Sequence, residues 1–356
     1  MQQQMIQKMK QRKMQSKKPQ VVIISPALAN ANNGNWQTAR RWASYLRSDY
    51  RVACMMTWDP EDALSASPDL MIALHARRSA DSIDAYARRF PQRPLVVILT
   101  GTDLYRDIRT DASAQRSLEL ATRIVVLQAA GLDELAPHLR AKATVIHQSA
   151  PSLKPFIKPF IKPFLRPADA TAFDVIMIGH LREEKRPATF IDAARLVSAP
   201  HVRLLHVGAA LDPTLGALAA DTQASVARYR WLGPMPHAKT RQRLKRCALM
   251  VITSAMEGGA NVIIEAVTSG VPVIASDIAG NRGMLGDGYA GYFPLGDSAA
   301  LARLIDRAAT DPVFHVTLKE QCAARAALFA PAIEKTAVRD LVDNQVHLST
   351  HTDGHP

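Results

Sequence analysis

The residues best suited to chemistry lie between Ser254 and Ala266. Glu257 is followed by Gly258, Gly259, Ala260, Asn261 and Val262, and Glu265 comes eight positions after Glu257. Read as one helix, that spacing is slightly over two turns, so both carboxylates would point the same way. The glycine pair stands where a loop enters a helix, and free backbone N–H groups there can reach an anion or a sugar hydroxyl. Carboxylates at such a mouth suit a ribose diol or a hexose. A second cluster, Gly179, His180, Arg182 and Lys185, follows an apolar run. Arginine binds phosphate through two parallel hydrogen bonds and lysine adds a point charge, so this pair suits a diphosphate. The plain alternative is a solvated helix start, since Glu183 and Glu184 stand beside them.

The amino half holds weaker candidates. The polar loop 30–35 contains Asn33, Gly34 and Asn35, and it does not match the G-x-G-x-x-G pattern of dinucleotide sites. His75 ends an apolar run, and Thr100-Gly101-Thr102-Asp103 follows another. These side chains suit hydroxyl groups of a ligand. They serve equally well as a satisfied structural histidine and as turn or cap residues.

The elements that must position these residues are short apolar runs alternating with helix-like stretches. Runs occur at 21–24, 51–55, 69–74, 95–99, 124–127 and 144–147, and again at 174–178, 203–207, 229–232, 249–253 and 272–275. Such alternation predicts an α/β fold with parallel sheets covered on both faces. Between the two series, residues 151–167 hold three near-identical tetrapeptides, Lys-Pro-Phe-Ile twice (from Lys154 and Lys158) and Lys-Pro-Phe-Leu from Lys162, and proline at every fourth position forbids a helix. The expected organisation is a basic tail at 1–20, a first α/β domain at 21–150, a linker at 151–170 and a second α/β domain at 171–330. A helix at 331–346 would follow, with Ile333, Ala337, Leu341 and Val342 on one face and able to pack back on the first domain. Residues 347–356 would form a frayed tail.

Composition narrows the class. The chain has 356 residues, of which 47% are hydrophobic and 21% charged, within the range of ordinary globular proteins. Three scattered cysteines argue against a disulfide framework and fit a reducing, cytoplasmic setting. Nothing has metal-ligand spacing, and no apolar run approaches the length of a membrane span. The net charge of +12 suggests a nucleic-acid binder at first sight. Six of those charges lie in residues 1–20 and four in residues 151–167, leaving two nearly neutral domains. Met5, Met9 and Met14 each offer an in-frame start, and one of them is expected to begin the native protein.

At these residues the chain resembles a known family. The array Gly179, Arg182, Lys185, then Glu257-Gly258-Gly259, Asn261, Glu265-Ala266, then Gly270-Val271-Pro272 and Gly280, looks like the donor half of GT-B glycosyltransferases with the E-x7-E motif, family 4-like. Within it, the stretches Asn33-Gly34-Asn35-Trp36, Leu74-His75-Ala76-Arg77-Arg78-Ser79, Thr100-Gly101-Thr102-Asp103-Leu104-Tyr105 and Gln148-Ser149-Ala150 resemble the selenosugar synthases of selenoneine biosynthesis. The resemblance implies a GT-B architecture of two Rossmann-like domains. It implies transfer of a hexosyl or N-acetylhexosaminyl group from UDP-glucose or UDP-GlcNAc to selenophosphate, with formation of a C–Se bond and no cofactor.

On this resemblance Arg182 and Lys185 hold the diphosphate and Glu265 the ribose. Glu257, with backbone N–H groups near Gly258, Gly259, Ala260, Asn261 and Val262, binds the sugar, and Gly34 and Gly179 complete the donor site. His75, Arg182, Lys185 and Glu257 would carry the catalysis. Asn33, Gly34, Asn35, Thr102 and Asp103 would meet the acceptor, with Arg77, Arg78 and Arg106 adding positive charge. Many members carry arginine where this chain has His180. The competing readings are a transferase acting on an alcohol of a glycan, lipid or small metabolite, and a basic nucleic-acid-binding protein. The second leaves the glycine entry and paired glutamates unexplained.

Overall fold

The computed structural model describes residues 18–28, 34–62, 65–153 and 172–352, with side chains to 347. The 1–17 part of the basic tail, Asn33 and the Lys-Pro-Phe-Ile repeat lie outside the described residues. Two compact units are present. The first comprises residues 1–126, 135–146 and 335–356, and the second 127–134 and 147–334.

The first unit is built on β1 (Gln20–Ile24), β2 (Arg51–Met55), β3 (Leu70–Leu74), β4 (Leu95–Leu99), β5 (Arg123–Val126) and β6 (Ala143–Val145). They form one parallel sheet in the order β2-β1-β3-β4-β5-β6. The helices α1 (Gly34–Leu46), α2 (Ala80–Arg89) and α3 (Ala112–Leu120) belong to the same unit. Every residue of β1, β3 and β4 is buried, as expected for central strands covered on both faces, whereas the edge strand β2 is partly exposed.

The second unit is built on β7 (Phe173–Ile178), β8 (Val202–Val207), β9 (Tyr229–Trp231), β10 (Leu249–Ile252), β11 (Val273–Ser276) and β12 (Tyr292–Phe293). Their order is β12-β11-β10-β7-β8-β9, again parallel throughout. Its helices are α4 (Pro187–Leu196), α5 (Pro213–Ser225), α6 (His237–Leu244), α7 (Asn261–Thr268), α8 (Ala279–Leu285), α9 (Ser298–Thr310) and α10 (Pro312–Arg325). Two of them start at an Asp-Pro pair. The Asp212 carboxylate accepts from the N–H of Thr214 and Leu215, and Asp311 from Val313 and Phe314, while the proline fills a position that needs no donor. β12, only two residues long, produces no apolar run that sequence reading could detect.

In each sheet the strand order reverses beside the first strand of the unit, between β1 and β3 and between β7 and β10. Open α/β sheets bind ligands at the carboxyl ends of strands flanking such a reversal. His75 follows β3 and α1 opens after β1; Gly179 follows β7 and Glu257 follows β10. The candidate residues therefore stand where topology opens a crevice.

The last helix, α11 (Pro331–Thr352), differs from the expected pattern. Its buried residues are Glu334, Val338, Val342, Gln345 and Val346, while Ile333 is 59% exposed. The apolar stripe is offset because Glu334 takes the inward position, accepting from the backbone N–H (2.9 Å) and hydroxyl (2.5 Å) of Ser149. In the first unit the helix is fastened by polar contacts. Tyr50 donates to Asp343, Arg339 pairs with Asp49, and the Thr122 hydroxyl donates to Gln345 at 2.9 Å. No described helix is long and apolar enough to cross a membrane.

His206 in β8 ties the core of the second unit to its candidate site. The ring is fully buried, Nδ1 lies 2.9 Å from the Tyr229 hydroxyl, and Nε2 lies 3.3 Å from the carbonyl oxygen of Gly179. Burial pushes its pKa down from 6.5 to about 4, against a smaller opposing effect of the Gly179 carbonyl. The unfolded chain therefore takes up the proton first as pH falls. Stability from this group is complete above pH 6.5 and is lost progressively toward pH 4, by about 3 kcal/mol. Denaturant unfolding at pH 7 and pH 4.5 should show this loss, and His206→Gln should flatten it; an unchanged acid limb in the variant contradicts the assignment.

Candidate active site

In the second unit the site begins at Gly179. Its carbonyl is pinned between the His206 ring and Gly208, where a Cβ would stand 1.9 Å from the Gly179 oxygen, so position 208 accepts only glycine. The stem of Lys185 passes over Gly179, 3.8 Å from where a Cβ would be. Lys185 ends a short turn, Glu183–Lys185, clipped to the end of β10. The Thr253 hydroxyl donates to the Lys185 carbonyl at 2.7 Å, and the Ala255 N–H donates to the Glu184 carbonyl at 2.9 Å. This clip sets the reach of the lysine, whose Nζ lies 2.5 Å from Oε1 of Glu257. The two side chains are 21% and 9% exposed, so the pair is only partly screened by water.

The two glutamates do not share a helix. Gly258 and Gly259 end the loop, Ala260 is extended, and α7 starts at Asn261, so Glu257 lies before the helix and Glu265 in its second turn. The glycine entry breaks the two-turn relation expected from the spacing. Each carboxylate has its own cationic or donor partner: Glu257 has Lys185, and Glu265 has Nε2 of His237 at 2.5 Å. Gly258 is buried and Gly259 rests against Leu127 and Gln148 of the same unit, while Asn261 and Val262 are half-exposed at the start of α7. There the first backbone N–H groups of the helix have no intrahelical acceptor.

Arg182 and Lys185 take different directions. Arg182 is largely exposed with its Nε 4.0 Å from the Glu184 carboxylate, and Lys185 turns to Glu257. His180 does not replace an arginine. Its Nδ1 accepts the Ala209 N–H at 3.0 Å, and burial, then Arg182 and Lys185, holds its pKa below the usual value. His237, the first residue of α6, is a site residue that sequence reading missed. Its only signal is a position after β9, a strand of three residues whose short apolar run marks its carboxyl end weakly.

In the first unit, His75 directly follows β3 and has φ 73°, an uncommon conformation for a residue other than glycine. Its Nδ1 accepts the Arg78 N–H at 3.3 Å, which leaves Nε2 to donate to the Thr102 hydroxyl at 3.0 Å. Burial, only partly opposed by Asp103, lowers its pKa, so the ring is neutral at pH 7. Asp103 is expected to meet a ligand, yet it is fully buried and committed to the backbone. Oδ1 accepts from the N–H of Thr100 (2.9 Å) and Gly101 (2.8 Å), and Oδ2 from Ala76 (3.0 Å). It therefore ties the ends of β3 and β4 together and shapes the loop that presents His75 and Thr102.

Arg77 and Arg106 both donate to Asp107, at 2.8 and 3.1 Å, so each is engaged by that one carboxylate, whereas Arg78 is exposed. Gly34 and Asn35 open α1, where the Thr38 hydroxyl donates to the Gly34 carbonyl at 2.9 Å.

Two parallel sheets of this order, each with polar groups gathered at its strand reversal, define an α/β protein of the GT-B architecture. Residues 162–328 match the family described as glycosyl transferases group 1.

Solved structures agree on the fold. HepE of Anabaena in complex with UDP and glucose is 17% identical, with a TM-score of 0.71 over 92% of this chain and 100% of that one. The same protein with UDP-glucose gives 18% identity and 0.72, over 91% and 99%. Sucrose-phosphate synthase from Thermosynechococcus elongatus gives 17% and 0.69, over 92% and 98%.

Proposed function

We propose that this chain is a selenosugar synthase: it transfers a hexosyl or N-acetylhexosaminyl group from UDP-glucose or UDP-GlcNAc to selenophosphate. The observation that carries the donor half is the Lys185–Glu257 contact at the reversal between β7 and β10. A cation meeting a carboxylate beside a helix entry suits a ligand with a diphosphate next to a sugar. The diphosphate would draw Lys185 onto its oxygens and release Glu257 to accept from sugar hydroxyls. That HepE is described bound to UDP-glucose supports the choice of donor.

In the reaction the C1–O bond to UDP breaks as the C1–Se bond forms. The electron pair of the breaking bond goes to the β-phosphate oxygen of UDP, whose charge Lys185, Arg182 and the first N–H groups of α7 would stabilise. The P–Se bond is then hydrolysed by water, giving the free selenosugar and phosphate.

The acceptor half favours an anionic nucleophile over an alcohol. An alcohol attacks best with a general base in reach. At the ends of β3 and β4, however, Asp103 is consumed by three backbone N–H groups, Asp107 by two arginines, and both nitrogens of His75 are engaged. Selenophosphate arrives already ionised and needs orientation more than deprotonation. Arg78, Thr102 and the start of α1 are suited to that task, and the resemblance of the amino half to selenosugar synthases points the same way.

The test is UDP release from each UDP-sugar with and without selenophosphate, with products identified by mass spectrometry. Release that requires selenophosphate, with a selenium-bearing sugar as product, is expected. Equal release driven by sugars, lipids or other alcohols would favour the alcohol-acceptor reading.

A further inference from the structure

Glu265 is held by a residue to which neither motif nor resemblance gives a role. His237 donates to Oε1 at 2.5 Å, and among the described residues Oε2 has no protein hydrogen-bond partner. The carboxylate itself is almost covered, while the imidazole is 43% exposed and approaches it from the solvent side.

The helix that carries His237 is well anchored. His237, Thr240, Arg241 and Leu244 lie on one face of α6 by their spacing, and the last three are buried. The Thr240 hydroxyl lies 3.2 Å from the Pro236 carbonyl, and Arg241 donates to the Pro151 carbonyl at 2.6 Å.

We infer that His237 is a positioning residue for the nucleoside end of the donor. By holding one carboxylate oxygen of Glu265 it fixes the plane of the group and leaves the other oxygen to accept from a ribose hydroxyl. The terminal torsion of a glutamate is broad and two-fold, so an unclamped carboxylate would have to be ordered when the nucleotide binds. A hydrogen bond made in advance removes that cost and appears as affinity. The inference rests on the reading of Glu265 as the ribose-binding carboxylate.

Isothermal titration of UDP and of 2′-deoxy-UDP tests it, on the wild type and on His237→Ala, His237→Gln, Glu265→Ala and the double variant. The wild type should prefer UDP. His237→Ala should weaken UDP about tenfold and narrow the preference over the deoxy analogue, because the partner of the 2′-hydroxyl is no longer held. In turnover the KM for the UDP-sugar should rise while kcat at saturation changes little.

His237→Gln, whose amide can donate at the same place, should recover most of the preference. The double variant should be no worse than Glu265→Ala. Full retention of the preference in His237→Ala, with the preference lost in Glu265→Ala, overturns the inference and leaves the reading of Glu265 standing. Unchanged UDP affinity in Glu265→Ala overturns both.

Discussion

Lys185→Ala is expected to lower UDP release from a UDP-sugar by about two to three orders of magnitude, the usual cost of removing one preorganised group from a developing negative charge. The lysine is not interchangeable with its neighbours. Arg182 is turned toward Glu184 in solvent, and His180 is neutral and holds the Ala209 N–H. The stem of Lys185 is fixed over Gly179 and its carbonyl is fastened by Thr253, so the loop itself sets where its ammonium reaches. The variant also leaves Glu257 without its partner in a nearly covered position, so its thermal midpoint must be measured beside its turnover. A folded Lys185→Ala protein with activity within tenfold of wild type would remove the lysine from the mechanism. Glu257→Gln separates the two contributions, since it keeps the shape of the side chain and loses the charge.

Gly280→Ala should disable the site from beneath. A Cβ at position 280 would stand 2.0 Å from the Glu257 carbonyl oxygen and 2.9 Å from its carbonyl carbon. Both are backbone atoms, so the clash cannot be relieved by turning a side chain. Either the first turn of α8 or the loop bearing Glu257 must shift. Forced overpacking of this kind costs about 1–3 kcal/mol, and here the strain falls on the loop that bears Glu257. Activity should fall with stability, and donor binding should weaken even where the protein remains folded. Gly288→Ala is the matched control, because a Cβ there meets nothing within 4 Å, and its stability should stay within about 0.5 kcal/mol of wild type. Equal behaviour of the two variants would refute the argument.

Much of the scaffold was legible because parallel strands covered on both faces must be apolar along their length. The runs at 95–99 and 203–207 read as strands for that reason and are strands. Strand order was not legible, since it depends on which runs pair. With the order goes the strand reversal that makes Gly179 and Glu257 neighbours. The E-x7-E spacing was visible, but its geometry was misread because two glycines stop the helix short of Glu257.

Asp103 illustrates the ambiguity of turn chemistry. The same Gly-Thr-Asp could face a ligand or bind its own backbone, and here the carboxylate takes three backbone N–H groups. His237 was hidden because it lies twenty-eight positions before Glu265, a separation that only the fold closes. In α11 a buried glutamate displaced the apolar stripe, which hydrophobic periodicity cannot anticipate.

The division of the chain into units also bears on the order in which the protein is made. The first unit is not finished when its sheet is. Val338, Val342 and Val346 are buried residues of a helix whose segment from 335 onward belongs to that unit, and they leave the ribosome after the whole second unit. Throughout synthesis of residues 147–334, the surfaces around Asp49, Tyr50 and Thr122 wait without the partners they later find at Arg339, Asp343 and Gln345. The first unit can therefore make its last contacts only after residues 335–346 have been synthesised.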